Sequence, residues 1–191
     1  MSNQDILRKI EMALQVSLNA KGAVMLTKDG NIIHPLHPSP VCVEEIAHVL
    51  SNFCRYGGHC PDFYSVAQHS VLVSYLVSPE LALEGLMHDA HEAYFGDWPK
   101  PIKNAVPGLV KVEREVESRV HKALGLRSSM DPAVKQADLL ALRMEMQYLW
   151  LNMRPDNLDD WAALKLVTNI PPARARKLFL DRYKELTRED D

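Results

Sequence analysis

No run of about 18 or more apolar residues, the length a membrane-spanning helix needs, occurs anywhere in this chain. Its start, Met1-Ser2-Asn3-Gln4-Asp5-Ile6, lacks the basic-then-apolar order of a secretory leader. The expectation is a soluble, cytoplasmic protein with no membrane partner. Cysteine is scarce: Cys42, Cys54 and Cys60 form an odd set without zinc-finger spacing, which predicts free thiols in a reducing compartment rather than disulfides. Basic charge is not in excess either, because 22 Lys+Arg against 25 Asp+Glu leave a net charge of -3. That balance argues against a nucleic-acid polymer as partner and leaves small phosphorylated ligands open. Repeats and low-complexity tracts are missing as well. What is there is 47% hydrophobic content in 191 residues, which predicts a single domain, 1–191, able to enclose a site in its core.

Helical patterning dominates. Asn3 can cap a first helix whose Ile6, Ile10, Leu14 and Leu18 share a face, with a stop near Gly22. Residues 23–27, 28–31 and 32–34 read as strand, Asp-Gly turn and strand. Pro35, Pro38 and Pro40 keep residues 34–41 extended. Ile46, Val49, Leu50 and Phe53 mark a second helix, ended by Gly57-Gly58. Ser65 and Gln68 have the form of a capping box, so a third helix starts at Val66 and carries His69. Ser78-Pro79 opens a fourth, running to Gly96, after which Asp97 enters a loop with Lys100 and Lys103 on its rim. An amphipathic helix over 109–124, a long one from Asp131-Pro132 towards Met153, and a last one from Pro171-Pro172 complete an all-α bundle with a short N-terminal hairpin.

The fourth helix holds Leu86-Met87-His88-Asp89-Ala90-His91-Glu92. An aspartate there, flanked by apolar residues on a core-facing helix, is costly to bury unless paired or bound to a cation. His69, nineteen positions upstream, and Asp138, forty-nine positions downstream of Asp89, sit among apolar residues in the same way. His69, His88, Asp89 and Asp138 make a two-nitrogen, two-oxygen set that suits one divalent ion, with Zn, Co, Mn, Mg and Fe all compatible. Glu92 shares the helix face of His88, whereas Asp89 is rotated by about 100 degrees from it. His91 points away from that face, and His34, His37, His48, His59 and His121 lack ligand-like partner spacing. Cys54, His59 and Cys60 lack a fourth ligand for a second zinc site. The stripe Leu139, Leu142, Met146 and Leu149 reads as core or oligomer interface.

These residues resemble the HD-domain metal-dependent phosphohydrolases, with His69, His88, Asp89 and Asp138 at the family's four ligand positions. The blocks AQHS (67–70), HDAHEAYFGDWPKPIK (88–103) and KQAD (135–138) are similar to those of bacterial 5′-deoxynucleotidases. The upstream block EEIAHVLSNFCRYGGH (44–59), followed by FYSVAQHS (63–70), resembles a phage-borne branch of dATP-directed phosphohydrolases more closely. The likeness extends over residues 22–150.

What the resemblance implies is metal-dependent hydrolysis of deoxynucleotide phosphate esters, with dATP favoured, in a bacterial cell or phage-infected host, by a homo-oligomer. Glu92 and Asp97 take the proton work, Asp97 on the attacking water and Glu92 on the leaving group, with the opposite assignment open. Arg55 aligns with a substrate-binding arginine. Tyr56 stands where the deoxynucleotidases place a tryptophan near the sugar, and Lys100 is a phosphate-contact candidate. Two alternatives stand beside this reading: a 5′-deoxynucleotidase confined to monophosphates, and a catalytically silent metal-dependent nucleotide sensor. The Gly-Tyr-Pro signature of HD-type cyclic-dinucleotide phosphodiesterases is absent. His91-Glu92 replaces the Glu-Asp pair expected of guanosine-polyphosphate hydrolases.

Overall fold

A computed structural model describes residues 4–5, 8–11, 24–127, 129–153 and 165–188 and shows a mostly helical chain with one small sheet. Residues 4–5 and 8–11 are helical; Ile6, Leu14, Leu18 and the stop expected at Gly22 lie outside the described residues. Strand β1 (Met25–Leu26) pairs antiparallel with β2 (Ile32–Ile33), Met25 opposite Ile33 and Leu26 opposite Ile32. The turn between them closes through Gly30, whose φ of 74° is the conformation glycine supplies without strain, with its N–H on the Thr27 carbonyl at 2.9 Å.

Helix α1 (Val43–Asn52) ends at Phe53, earlier than the Gly57-Gly58 stop expected from the sequence. A short 3₁₀ turn, Arg55–Gly58, follows, with Tyr56 at φ 59° and Gly57 at φ 61°. The left-handed pair turns the chain back so that Arg55 N–H bonds the Tyr64 carbonyl at 2.9 Å. Helix α2 (Val66–Leu76) carries the expected capping box: Gln68 N–H donates to Ser65 Oγ at 3.2 Å, and Ser65 N–H donates to Gln68 Oε1 at 3.0 Å.

From Val66 to Ser74 every residue of α2 is buried, which makes it the central helix. Its hydroxyls are satisfied internally, Ser70 Oγ on the Val66 carbonyl and Ser74 Oγ on the Val71 carbonyl. Around it pack α1, α3 (Ala82–Met87), α7 (Pro132–Leu151) and α8 (Pro172–Leu186). Gln68 donates a second time, to the Leu166 and Thr168 carbonyls at 2.7 and 2.8 Å, tying the approach to α8 onto α2. Arg182 of α8 reaches the Ser74 hydroxyl and carbonyl near the end of α2. Leu50, Leu72, Leu86 and Phe179 are fully buried, each worth about 2 kcal/mol relative to exposure.

Three further helices complete the order: α4 (Glu92–Phe95), α5 (Lys100–Ala105) and α6 (Pro107–Ala123). The single helix expected from Pro79 to Gly96 is instead a 3₁₀ turn at Pro79–Leu81, then α3, then a turn over 88–91, then α4. Residues 100–105, expected as loop, form α5, because Pro101 sits in its first turn, where proline's missing N–H costs nothing. Helix α7 is capped by Asp131, whose Oδ1 accepts from Ala133 N–H at 2.9 Å, and ends at Asn152 with φ 50°. Leu139, Met146, Trp150 and Leu151 lie exposed on α7. No helix among the described residues is long and apolar enough to cross a membrane.

Candidate metal centre

Two helices and a turn deliver four side chains to one point. His69 comes from the first turn of α2, His88 and Asp89 from the turn that follows α3, and Asp138 from two turns into α7. His88 Nε2 lies 3.0 Å from Asp89 Oδ2, His69 Nε2 lies 3.3 Å from Asp138 Oδ1, and His69 Nε2 lies 3.6 Å from Asp89 Oδ2. The two imidazole rings are 5.2 Å apart between centroids. Both rings are buried, while the Asp89 and Asp138 side chains remain 16% and 19% exposed, so the cluster opens to solvent on its carboxylate side.

The ring tautomers are fixed from behind. A carbonyl can only accept, so His88 Nδ1–H donates to the Gly85 carbonyl at 2.8 Å, leaving Nε2 as a lone pair facing the cluster. His69 Nδ1 lies 2.6 Å from Glu145 Oε1, which leaves its Nε2 to the cluster in the same way. Neither Nε2 has a hydrogen-bond partner among the described residues. A buried polar atom left without a partner costs about 1–3 kcal/mol, a cost that a cation bound between the two nitrogens would offset. His69, His88 and Asp138 each offer a ligand atom within 4.8 Å of the others, and these residues could hold a metal ion.

The electrostatics agree. Burial alone would raise Asp89, but His88, His69 and Arg55 outweigh it and hold its carboxyl well below the usual range. Burial would raise Asp138 too, but His69, whose Nε2 lies 3.3 Å from its Oδ1, and the charge of His88 hold it low. Burial and Arg55 push His69 down, yet Glu145 and Asp138 raise it to about 9: the carboxylates demand positive charge at this point. Lys135 pairs with the outer oxygen of Asp138 at 2.5 Å from a largely exposed position, which is worth little.

The segment carrying His88 and Asp89 is not continuous helix. Successive i→i+3 bonds, Ala90 to Met87, Glu92 to Asp89 and Ala93 to Ala90, tighten the chain between α3 and α4. Glu92 therefore begins a new helix rather than sharing an unbroken face with His88. Helix α3 approaches α2 closely at Gly85, where an added Cβ would meet Ser74 Cα and the Val73 carbonyl at 3.3 Å.

Glu145 is the site residue that sequence reasoning missed. It is fully buried on α7, and four groups converge on its carboxylate: His69 Nδ1 at 2.6 Å, Tyr56 Oη at 2.5 Å, Tyr64 Oη at 3.1 Å and Arg55 Nε at 3.2 Å. Arg55, Tyr56 and the ligand His69 are thus bound into one network, with Arg55 Nη1 3.9 Å from Asp89 Oδ2. The Tyr56 hydroxyl is turned inward onto Glu145, and its ring meets Trp150 edge-on at 4.9 Å. The signal was present: Glu145 stands seven residues after Asp138, two turns along the same helix.

Glu92 is buried, and its Oε2 has no partner among the described residues. Burial, followed by the charges of Asp89 and Asp97, pushes its carboxyl well above the usual range, although Arg55 and Lys103 oppose them. Burial thus favours the protonated form of Glu92 beside the metal-free cluster. Asp97, half-buried, is also raised, by burial and then by Asp89, against the pull of Arg55. It follows Gly96, whose φ of 93° strains any residue with a side chain and where an added Cβ would meet Trp98 Nε1 at 3.3 Å. Lys100 is exposed at the start of α5, with no polar contact to the cluster. Lys103 pairs with Glu113 at 2.7 Å. Cys54 and Cys60 face each other at 3.4 Å, but with His59 exposed they form no ligand set among the described residues.

Fold and site together define a mostly helical protein with a buried His/Asp group able to hold a metal. No family model matches the chain. It is 36% identical over 163 residues to the uncharacterized protein YfdR of Escherichia coli strain K12, covering 80% of this chain and 88% of that one. It is 30% identical over 182 residues to an uncharacterized protein of Rhodobacter capsulatus, covering 83% of this chain and 93% of that one. The chain belongs to the family these proteins represent.

Proposed function

We propose that this chain is an HD-type, metal-dependent phosphohydrolase that hydrolyses deoxynucleotide phosphate esters, with dATP favoured, and releases the deoxynucleoside. The observation that carries the reading is the convergence of two buried, unpartnered imidazole nitrogens with two carboxylates, beside a buried glutamate whose pKa is raised and a fixed arginine. His69, His88, Asp89 and Asp138 would hold the ion. When bound, a divalent ion supplies Lewis acidity and an acidified water at the cluster.

The chain's own groups do the rest. Asp97, half-buried with a raised pKa, orients the attacking water and accepts its proton. As the new bond from the water oxygen to phosphorus forms, the bond from phosphorus to the 5′ oxygen breaks. Glu92 delivers its proton to that leaving oxygen, a role its raised pKa suits. Arg55, anchored through Nε on Glu145, turns its remaining donors towards charge developing on the phosphoryl oxygens. Tyr56, edge-on against Trp150, is the aromatic wall proposed for the deoxyribose. A silent sensor would have no use for a buried, unpartnered carboxyl beside the ligands, so Glu92 favours turnover over the sensor reading.

The test is hydrolysis of the four deoxynucleoside mono- and triphosphates, with ribonucleotide controls, by metal-stripped protein reloaded with Co, Mn, Zn or Mg. Preference for dATP over dAMP supports the full reading. Turnover confined to monophosphates makes the protein a 5′-deoxynucleotidase, and absence of turnover with metal bound moves it to the sensor class.

A further inference from the structure

His91 and His121, set apart in the sequence as lacking partner spacing, are brought together by the fold. On α6, Glu113, Glu117 and His121 recur every four residues and form one stripe along the helix. That stripe faces α4, which packs on α6, and His91 immediately precedes α4. His91, Glu117 and His121 each bring one ligand atom within 4.8 Å of the others, and the two imidazoles meet edge-on at 6.4 Å.

Two independent features point to a ligand here. His91 and His121 are 6% and 2% exposed, and His91 Nδ1 and His121 Nε2 have no hydrogen-bond partner among the described residues. Most buried side-chain polar atoms find a hydrogen-bond partner, and two orphaned imidazole nitrogens in one group repeat the signature of His69 and His88. In addition, Glu117 enters no ion pair among the described residues, whereas Glu113 is already taken by Lys103. Glu113 Oε1 also lies 3.7 Å from His91 Nε2, on the side of the ring away from the unpartnered Nδ1.

We propose that His91, Glu117 and His121 form a second divalent transition-metal site, separate from the His69, His88, Asp89 and Asp138 cluster. Two imidazoles and one carboxylate select zinc or cobalt over magnesium or calcium. Bonds of about 2.1 Å to a tetrahedral ion set donors about 3.4 Å apart, inside the 4.8 Å that bounds the separations here. Its place in the fold gives it a role: it clamps α6 to the turn between Asp89 and Glu92 and so holds the proton donor in register with the first cluster. Glu92 would be positioned by this site without touching its ion.

The experiment is cobalt stoichiometry on the full chain, stripped with chelator, dialysed against Co²⁺ and read by elemental analysis, for wild type, Asp138→Asn, His121→Gln and Glu117→Ala. The expected result is two ions per chain in wild type and one in each variant, with folding checked by circular dichroism. Glu117 is half-buried on α6, so its variant carries the test if His121→Gln fails to fold. One ion in wild type, abolished by Asp138→Asn and untouched by Glu117→Ala, overturns the second site while leaving the first intact. One ion retained by Asp138→Asn but lost in Glu117→Ala supports the second site and shows that the first is the one at fault.

Discussion

Glu145 Oε1 lies 2.6 Å from His69 Nδ1, and the second oxygen of the same buried carboxylate holds Tyr56 and Arg55. One side chain on α7 thereby orients a metal-capable imidazole and the arginine beside it. Carboxylates in this position behind a ligating histidine fix its tautomer and raise its basicity. Glu145→Gln is expected to weaken divalent-metal affinity about 10- to 100-fold, measured by competition with a chromogenic chelator. Unchanged affinity would remove Glu145 from the site.

The ligand and proton residues should separate cleanly. His88→Ala and Asp138→Ala lose the catalytic metal and activity together. Glu92→Gln and Asp97→Asn keep that metal, read by elemental analysis, while turnover falls by roughly 10²- to 10⁴-fold. Full activity in His88→Ala or Asp138→Ala would contradict the ligand assignment.

Glu92 also makes the stability of the metal-free protein depend on pH. Its folded pKa lies above the unfolded value of about 4.3, so below that value the carboxyl is neutral in both states and costs nothing extra. As pH rises, the unfolded chain ionises first, and stability falls until pH passes the folded pKa. Glu92→Gln should therefore raise the melting temperature of chelator-treated protein near neutral pH, with the gain vanishing near pH 4. A gain independent of pH would show that Glu92 is not held neutral.

The capping box of α2 offers a test of the scaffold alone. Ser65→Ala is expected to cost about 1 kcal/mol, a fall of about 2–4 °C in melting temperature for a chain of this size, measured by calorimetry. Metal content should stay unchanged, because His69 is held by Glu145 as well as by its helix.

The four ligand candidates were legible because a histidine or aspartate on an apolar helix face is costly without a purpose. Ser65 and Gln68 announced the start of α2, and Asp131-Pro132 that of α7, through local chemistry that needs no tertiary context. The turn at 88–91 was not legible, since the helical pattern of apolar residues runs through it unbroken. Lys100 was read as a rim residue because prolines on either side suggested loop, yet a proline in the first turn starts a helix as readily as it ends one. Glu145 sits among Leu, Met and Trp residues on a helix whose other face is exposed, so its burial depends on which face α2 covers. The convergence of His91 with His121 depends likewise on how α4 and α6 pack, a relationship thirty residues apart that no local spacing encodes.

The most direct test of the central claim is dATP turnover by chelator-stripped protein before and after reloading with Co²⁺ or Mn²⁺, with Asp138→Ala alongside. The account predicts no turnover in the stripped protein, recovery on reloading with release of deoxyadenosine, and no recovery in Asp138→Ala. Turnover that persists without metal, or that returns in Asp138→Ala, would contradict it.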